Sequence, residues 1–157
     1  MLVKRLISTF VPSLGFSCYS APNTLKTGAI LKQARTFSNE DVLKYSKLSY
    51  DSNPLHFDAE CARNAGFKGV LVPGMLVASL FPRIIASHFP GAVYVSQTLQ
   101  FKLPVYIGEE IISEVQATNI REMKNKYIAK FSTKCSQNDG LVVLDGEATA
   151  ILPTLAM

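Results

Sequence analysis

The amino-acid sequence predicts an α+β fold, in which a curled antiparallel sheet surrounds a central buried helix. Residues 74–89 are apolar on nearly all sides, which is typical of a helix that is buried. After residue 91 the hydrophobic period changes to two, and long segments rich in β-branched and aromatic residues follow one another through short turns. A buried helix ahead of such a run of strands implies two layers packed around one core.

The composition is typical of one folded domain and argues against several classes of protein. The chain has 157 residues, 48% of them apolar, so it can bury a core and does not have the composition of a disordered protein. The formal net charge of +4 falls to +2 without Lys4 and Arg5, and this small, dispersed excess argues against nucleic-acid binding. No apolar run approaches the ~18 residues of a membrane-spanning helix, so no membrane span is expected.

The first 24 residues differ in kind from the rest. They contain Lys4 and Arg5 but no acidic residue, and drawn as a helix they separate an apolar side from a basic, hydroxyl-rich side. This combination is typical of an organelle transit peptide. We therefore expect residues 1–24 to direct the chain to the mitochondrial matrix, with a plastid as the alternative, and residues 25–157 to form the single domain. The other interpretation is a first helix of the domain, which Pro12 disfavours.

Local signals predict the elements that precede the buried helix. Ser38, with Asp41 three residues later, indicates a capping box that opens a short helix. The Asp, Ser, Asn and Pro residues within 51–55 favour a loop. Asp58 is expected to cap a second short helix that Gly66 ends.

Periodicity and turn residues predict the strands and a break in the helix. Pro82 is expected to kink or divide the helix over 74–89, because proline lacks the N–H that a helix interior uses. The Asn-Asp-Gly sequence at 138–140 is a strong hairpin signal. The predicted strands are 30–37, 92–105, 110–121, 126–136 and 141–152.

Cysteine and histidine are too sparse to indicate a metal site. Cys18, Cys61 and Cys135 are widely spaced, and only His56 and His88 could join them. Zinc sites need four ligands in closer pairs, so we expect no bound metal. Cys61 and Cys135 are expected to be buried, reduced thiols.

The stretch 51–56, with the sequence DSNPLH, brings an acid and an imidazole five positions apart onto one turn. Histidine can give or take a proton near neutral pH, and a nearby carboxylate can orient it or act as the second acid–base group. Asp and Asn also build turns, and a lone histidine is more often structural. The spacing alone therefore leaves a catalytic pair and a structural turn both open.

Several segments, taken together, resemble one known family. The signature combines an acid, a histidine, a glycine and a serine in order, and it extends over about residues 26–153. This pattern resembles the MaoC-like, (R)-specific enoyl-thioester hydratase/dehydratase family. The segments that carry the resemblance are DSNPLHFD at 51–58, VPGML at 72–76, ASLF at 78–81, FKLPVYIG at 101–108 and GEA at 146–148.

The resemblance implies a hotdog fold, a homodimer whose subunits pair their sheets, and a set of site residues. Asp51 and His56 match the family's catalytic pair, and Gly74 matches the glycine whose backbone N–H holds the thioester carbonyl. Ser79 matches a serine that supports the pair, and Asn53 lies within the same motif as a further supporting residue. The family has Gly in many members where this chain has Tyr50, and His in many where it has Pro73.

The resemblance also implies a reaction and a substrate class. The family reversibly removes water from a (3R)-3-hydroxyacyl thioester to give the trans-2-enoyl thioester, without a cofactor or a metal. The acyl group is carried on the phosphopantetheine of acyl carrier protein or on coenzyme A. With a presequence ahead of the domain, we expect a dehydratase of mitochondrial type II fatty acid synthesis. The alternatives are an (R)-specific enoyl-CoA hydratase of fatty acid oxidation, a hotdog thioesterase, and a non-catalytic acyl-binding subunit.

Five basic residues are candidates for contact with the phosphates of coenzyme A or with an acidic carrier protein. Charged residues in turns are equally well explained as a solvated face. The five are Arg83, Lys102, Arg121, Lys124 and Lys126.

Overall fold

The computed structural model describes residues 23–157. Nearly all of the predicted transit peptide, together with Cys18, lies outside the described residues. The helices and strands are β1 Ile30–Thr36, α1 Asn39–Ser49, a 3₁₀ turn Pro54–His56, α2 Ala59–Asn64, α3 Gly74–Ala78, α4 Leu80–His88, β2 Val93–Gln97, β3 Gln100–Phe101, β4 Glu110–Met123, β5 Lys126–Gln137 and β6 Val142–Leu152.

The two short helices before the buried helix begin as predicted. At the start of α1 the Ser38 hydroxyl accepts from the Asp41 N–H at 3.2 Å, and the Asp41 carboxylate accepts from the Ser38 N–H at 2.9 Å. The bond from the Ser38 N–H holds the pKa of the Asp41 carboxyl below its usual value. The Asp58 carboxylate accepts from the N–H groups of Glu60 and Cys61 at the start of α2. Both predicted caps are confirmed.

The sheet is antiparallel and six-stranded, with the strand order β1-β4-β5-β6-β2 and with β3 also paired to β6. The long strands β4, β5 and β6 form its centre, and their alternate residues face the core. α4 packs against β4 and β1 on the inner side of the sheet. The largest fully buried side chains include Phe81, Phe89, Phe131, Ile84, Ile111 and Leu144.

The prediction of one strand over 92–105 is wrong, because the regular pairing with β6 is interrupted after β2. The register of β2 on β6 shifts between Tyr94 and Ser96, and the Thr98 backbone then crosses directly over Gly146. Thr98 and Glu147 exchange two hydrogen bonds, at 2.9 and 3.0 Å, that hold this crossing. The strand pattern therefore stops, resumes for two residues as β3, and ends in a loop.

The helix predicted over 74–89 is divided, as expected, but at Ser79 rather than at Pro82. Pro82 has no N–H to donate to the Ala78 carbonyl, and its ring needs room beside that carbonyl, so the disturbance falls one turn earlier. The expectation that the helix is buried on all sides is wrong. Phe81 and Ile84 are buried, but Met75, Ser79, Arg83 and Ala86 recur along one exposed face.

Cys135 and Cys61 are both free thiols. Cys135 is buried beside the Ser113 hydroxyl, and burial raises the pKa of its thiol to about 11. Cys61 is only partly buried on α2, which corrects the expectation for that residue. None of the helices in residues 23–157 is long and apolar enough to cross a membrane.

Candidate active site

The turn that follows α1 is built by its own polar side chains. The Asp51 carboxylate accepts from the Asn53 N–H at 3.1 Å, and the Asn53 side-chain oxygen accepts from the Leu55 N–H at 3.1 Å. Pro54 begins the 3₁₀ turn, where its missing N–H costs nothing. Asp51 and Asn53 are therefore turn-building residues, and the turn that they build places the carboxylate and His56 on the same side.

His56 is fixed by a backbone carbonyl from a distant part of the chain. Its Nδ1 lies 2.9 Å from the Leu71 oxygen. A carbonyl oxygen can only accept, so Nδ1 carries the proton and Nε2 is the nitrogen that remains for chemistry. Leu71 is itself held because its N–H donates to the Leu55 carbonyl at 2.9 Å. The imidazole is thus oriented by a hydrogen bond to the backbone.

The free nitrogen of His56 faces the carboxylate of Asp51. Nε2 and the Asp51 Oδ2 are 3.7 Å apart, which is beyond hydrogen-bond distance, and a substrate atom beside the pair can lie within hydrogen-bond distance of both. The His56 side chain is 11% exposed and the Asp51 side chain is 40% exposed. One group is therefore shielded and the other is reachable from solvent, which suits a pair that exchanges protons with a bound substrate.

His56 lies in the wall of an open cavity of about 490 Å³, within the usual range for small-molecule sites. The cavity runs between the 3₁₀ turn, the start of α3, the segment after β3, and the first residues of β6. Its lining is mainly apolar and includes Phe67, Leu71, Val77, Phe101, Val105 and Leu144. Such a cavity suits an apolar group rather than a charged one.

Gly74 lines the same cavity and begins α3. As the first helical residue it presents a backbone N–H that no intrahelical carbonyl takes up. The ring of Phe101 lies against it: a Cβ at this position would be 2.6 Å from Phe101 Cε1. A residue with a side chain would have to displace that ring, so this close approach favours glycine.

The structure places His56 and Gly74 in the wall of one cavity and the Asp51 carboxylate 3.7 Å from His56, although Asp51 itself is not in the lining; Ser79 lies apart. The Ser79 side chain is exposed at the joint between α3 and α4, and its hydroxyl donates to the Leu76 carbonyl at 2.6 Å. Ser79 is not among the residues that line the cavity. Its supporting role stays a prediction, and so does that of Asn53, whose N–H donates to the Asp51 carboxylate within the turn.

Two features of this site could not be identified from the sequence as functional. The Leu71 carbonyl that orients His56 belongs to the backbone and has no sequence signature. Phe101 at the cavity wall was not singled out, and its only signal was its place inside the FKLPVYIG segment, next to the candidate Lys102. Among residues 23–157, no group of three or more His, Cys, Asp or Glu side chains could hold a metal ion.

Residues 20–137 match the model of the MaoC-like domain, and the chain belongs to this family. Its sheet resembles that of hotdog hydratases. A solved structure of an (R)-hydratase from A. caviae, involved in PHA biosynthesis, superposes with a TM-score of 0.77 at 37% identity and covers 82% of this chain and 98% of its own. This likeness confirms the predicted hotdog fold.

Two plant proteins are more similar in sequence. The mitochondrial 3-hydroxyacyl-[acyl-carrier-protein] dehydratase FERN of Solanum lycopersicum is 71% identical over 158 residues, covering 100% of this chain and 94% of its own. The mitochondrial 3-hydroxyacyl-[acyl-carrier-protein] dehydratase of Arabidopsis thaliana is 62% identical over 143 residues, covering 90% and 86%. The relatives are thus named as dehydratases and hydratases, which are hydro-lyases.

Proposed function

We propose that this chain reversibly dehydrates (3R)-3-hydroxyacyl groups on acyl carrier protein to trans-2-enoyl thioesters, in mitochondrial type II fatty acid synthesis. The observation that carries the proposal is the pairing of Asp51 Oδ2 and His56 Nε2, 3.7 Å apart, beside an apolar cavity that Gly74 also lines. The names of the plant relatives support the carrier and the compartment.

Dehydration moves two protons, and the pair offers one group for each. A proton leaves C2 of the substrate, and another joins the hydroxyl that departs from C3 as water. One of the two groups, Nε2 of His56 or the carboxyl of Asp51, starts with the proton that joins the leaving hydroxyl, and the other accepts the proton from C2; their 3.7 Å separation permits either assignment. After the enoyl thioester and water leave, the pair holds as many protons as before. The proton now lies on the group that accepted it from C2.

The backbone N–H of Gly74 supports the step in which charge develops on the substrate. As the C2 proton leaves, negative charge grows on the thioester oxygen, and a donor that is already in place stabilises it. In the proposed mechanism Gly74 donates to this oxygen. Two acid–base groups and one fixed donor supply all the steps, so the mechanism calls for no metal or cofactor beyond the pantetheine arm of the substrate.

We also propose a homodimer that forms through the edge of β2. β2 is the edge strand on one side of the sheet, and its apolar residues Val93 and Val95 are 54% and 56% exposed. The opposite edge, β1, carries Lys32 and Arg35 among its residues. Charged side chains protect an edge strand from pairing, whereas exposed apolar ones invite it. The β2 edge is therefore the one that a second copy of the chain would extend.

Residues 1–24 are proposed as the mitochondrial transit peptide and residues 25–157 as the dehydratase domain. The support is the acid-free, amphipathic start of the sequence and the mitochondrial designation of the plant relatives.

Incubating the protein with a short trans-2-enoyl thioester tests the reaction. Loss of the enoyl absorbance with formation of the (3R)-3-hydroxyacyl thioester supports the proposal. Release of free thiol would instead indicate a thioesterase, and binding without conversion would indicate a non-catalytic subunit. Comparing kcat/KM for the carrier-protein and coenzyme A thioesters distinguishes a dehydratase of fatty acid synthesis from an enoyl-CoA hydratase of fatty acid oxidation. These two kinds of enzyme differ in the carrier of the acyl group and not in chemistry.

A further inference from the structure

The apolar cavity of the candidate active site has one lysine, Lys102, in its lining. Of the described residues that line it, only His56 and Lys102 have side chains that can carry a charge. The Lys102 ammonium is paired with the Asp145 carboxylate, and the Lys102 side chain remains 44% exposed. Its aliphatic stem can therefore follow the apolar wall while the charge stays at the rim, in contact with water.

The backbone holds Lys102 in this place. The N–H groups of Lys102 and Leu103 both donate to the Val143 carbonyl, at 2.9 and 3.3 Å. The preceding residue, Phe101, pairs with Leu144 of β6. The backbone of Lys102 is thus held by β6, and among residues 23–157 Asp145 is the one ion-pair partner that the ammonium would give up if an anion arrives.

The structure does not place the other four basic candidates in the cavity lining. Arg83, Arg121, Lys124 and Lys126 are absent from the described lining of the cavity, so Lys102 is the candidate that the structure retains.

The substrate class supplies a matching anion. An acyl chain and its thioester are neutral, and the first negative charge along the carrier arm is the phosphate of phosphopantetheine. We propose that Lys102 binds this phosphate where the arm leaves the cavity, and that Asp145 holds the ammonium in place when the arm is absent. This inference rests on the proposed function, because it requires a pantetheine thioester as substrate. The same phosphate ester occurs on acyl carrier protein and in coenzyme A.

The test compares substrates with and without the phosphate, in the full-length protein. trans-2-Butenoyl thioesters of pantetheine, of 4′-phosphopantetheine and of coenzyme A are hydrated, and the KM for pantetheine is divided by the KM for phosphopantetheine. Lys102→Met keeps the stem and removes the charge, and it should lower this ratio about tenfold, as expected for one charge-assisted hydrogen bond.

Asp145→Asn is the matched control, because it breaks the same ion pair but leaves the cation in place. If Lys102 binds phosphate, the ratio in Asp145→Asn stays at the wild-type value or rises. If the ion pair only stabilises the rim, the two substitutions change the ratio alike, and the proposal is wrong. An unchanged ratio in Lys102→Met also overturns it. An effect seen with coenzyme A but not with phosphopantetheine would assign Lys102 to the nucleotide phosphates instead.

Calorimetric titration with phosphopantetheine and with pantetheine repeats the comparison without turnover. If the wild-type protein hydrates none of the thioesters, the proposed function fails, and the titration then decides on Lys102 separately. Tighter binding of phosphopantetheine that Lys102→Met abolishes and Asp145→Asn retains supports the phosphate site. Equal binding of the two compounds by the wild-type protein rejects it.

Discussion

Replacing Gly146 by alanine would put a methyl group where the Thr98 backbone already lies. The added Cβ would be 1.8 Å from the Thr98 oxygen and 2.7 Å from its carbonyl carbon. Both atoms are backbone, so no side-chain rotation relieves the overlap. The crossing itself has to move, and with it the hydrogen bonds that join Thr98 to Glu147 and the Gln97 side chain to the Thr98 oxygen.

The magnitude follows from the bonds at the crossing. Three hydrogen bonds at about 1 kcal/mol each give a loss of about 3 kcal/mol in the free energy of unfolding. For a chain of this size that corresponds to a fall in Tm of about 10 °C. Activity should fall as well, because β3 and Lys102 follow the crossing directly and depend on it for their position.

Urea unfolding at a fixed protein concentration measures the loss, and Gly69→Ala is the matched control. An added Cβ at Gly69 has no atom within 4 Å and meets no strained backbone angle, so its effect should stay within about 0.5 kcal/mol. If the free energy of unfolding of Gly146→Ala lies within 1 kcal/mol of the wild-type value, the reasoning is refuted. The Thr98 backbone could then not lie so close to residue 146.

Four further predictions test the pair, a backbone angle, the targeting segment and the dimer. Asp51→Asn and His56→Gln should each lower turnover about 10²–10⁴-fold with little change in urea midpoint. The double variant should lower turnover by far less than the product of the two single effects. Unfolding of either variant would favour a purely structural turn. Tyr50 is 90% exposed and has a φ of 60°, so Tyr50→Gly should raise the free energy of unfolding by about 1 kcal/mol, measured in urea; no gain would mean that this angle carries no strain. Residues 1–24 fused to a fluorescent reporter should bring it to mitochondria, and diffuse cytosolic signal would count against a transit peptide. Light scattering should give a dimer mass that Val95→Lys reduces to a monomer mass, whereas an active wild-type monomer at micromolar concentration would exclude the dimer.

Features that depend on neighbouring residues were predictable, and those that depend on distant ones were not. The capping box at Ser38 could be read locally, because its partners lie within one turn. The break before β3 could not, because it arises where Thr98 meets Gly146 across the sheet. The acid–base pair was found from its motif, yet only the folded chain shows that the Leu71 carbonyl selects which nitrogen of His56 is left for chemistry.

Leu71 separates two properties that enzymes often combine in one side chain. Its carbonyl fixes the tautomer of His56, while its side chain forms part of the cavity wall. Any amino acid at this position brings the same carbonyl, so the wall can be made wider or narrower by substitution while the imidazole keeps its orientation. If the proposed function holds, acyl-chain preference can therefore diverge at this residue over evolutionary time without a compensating change at Asp51 and His56.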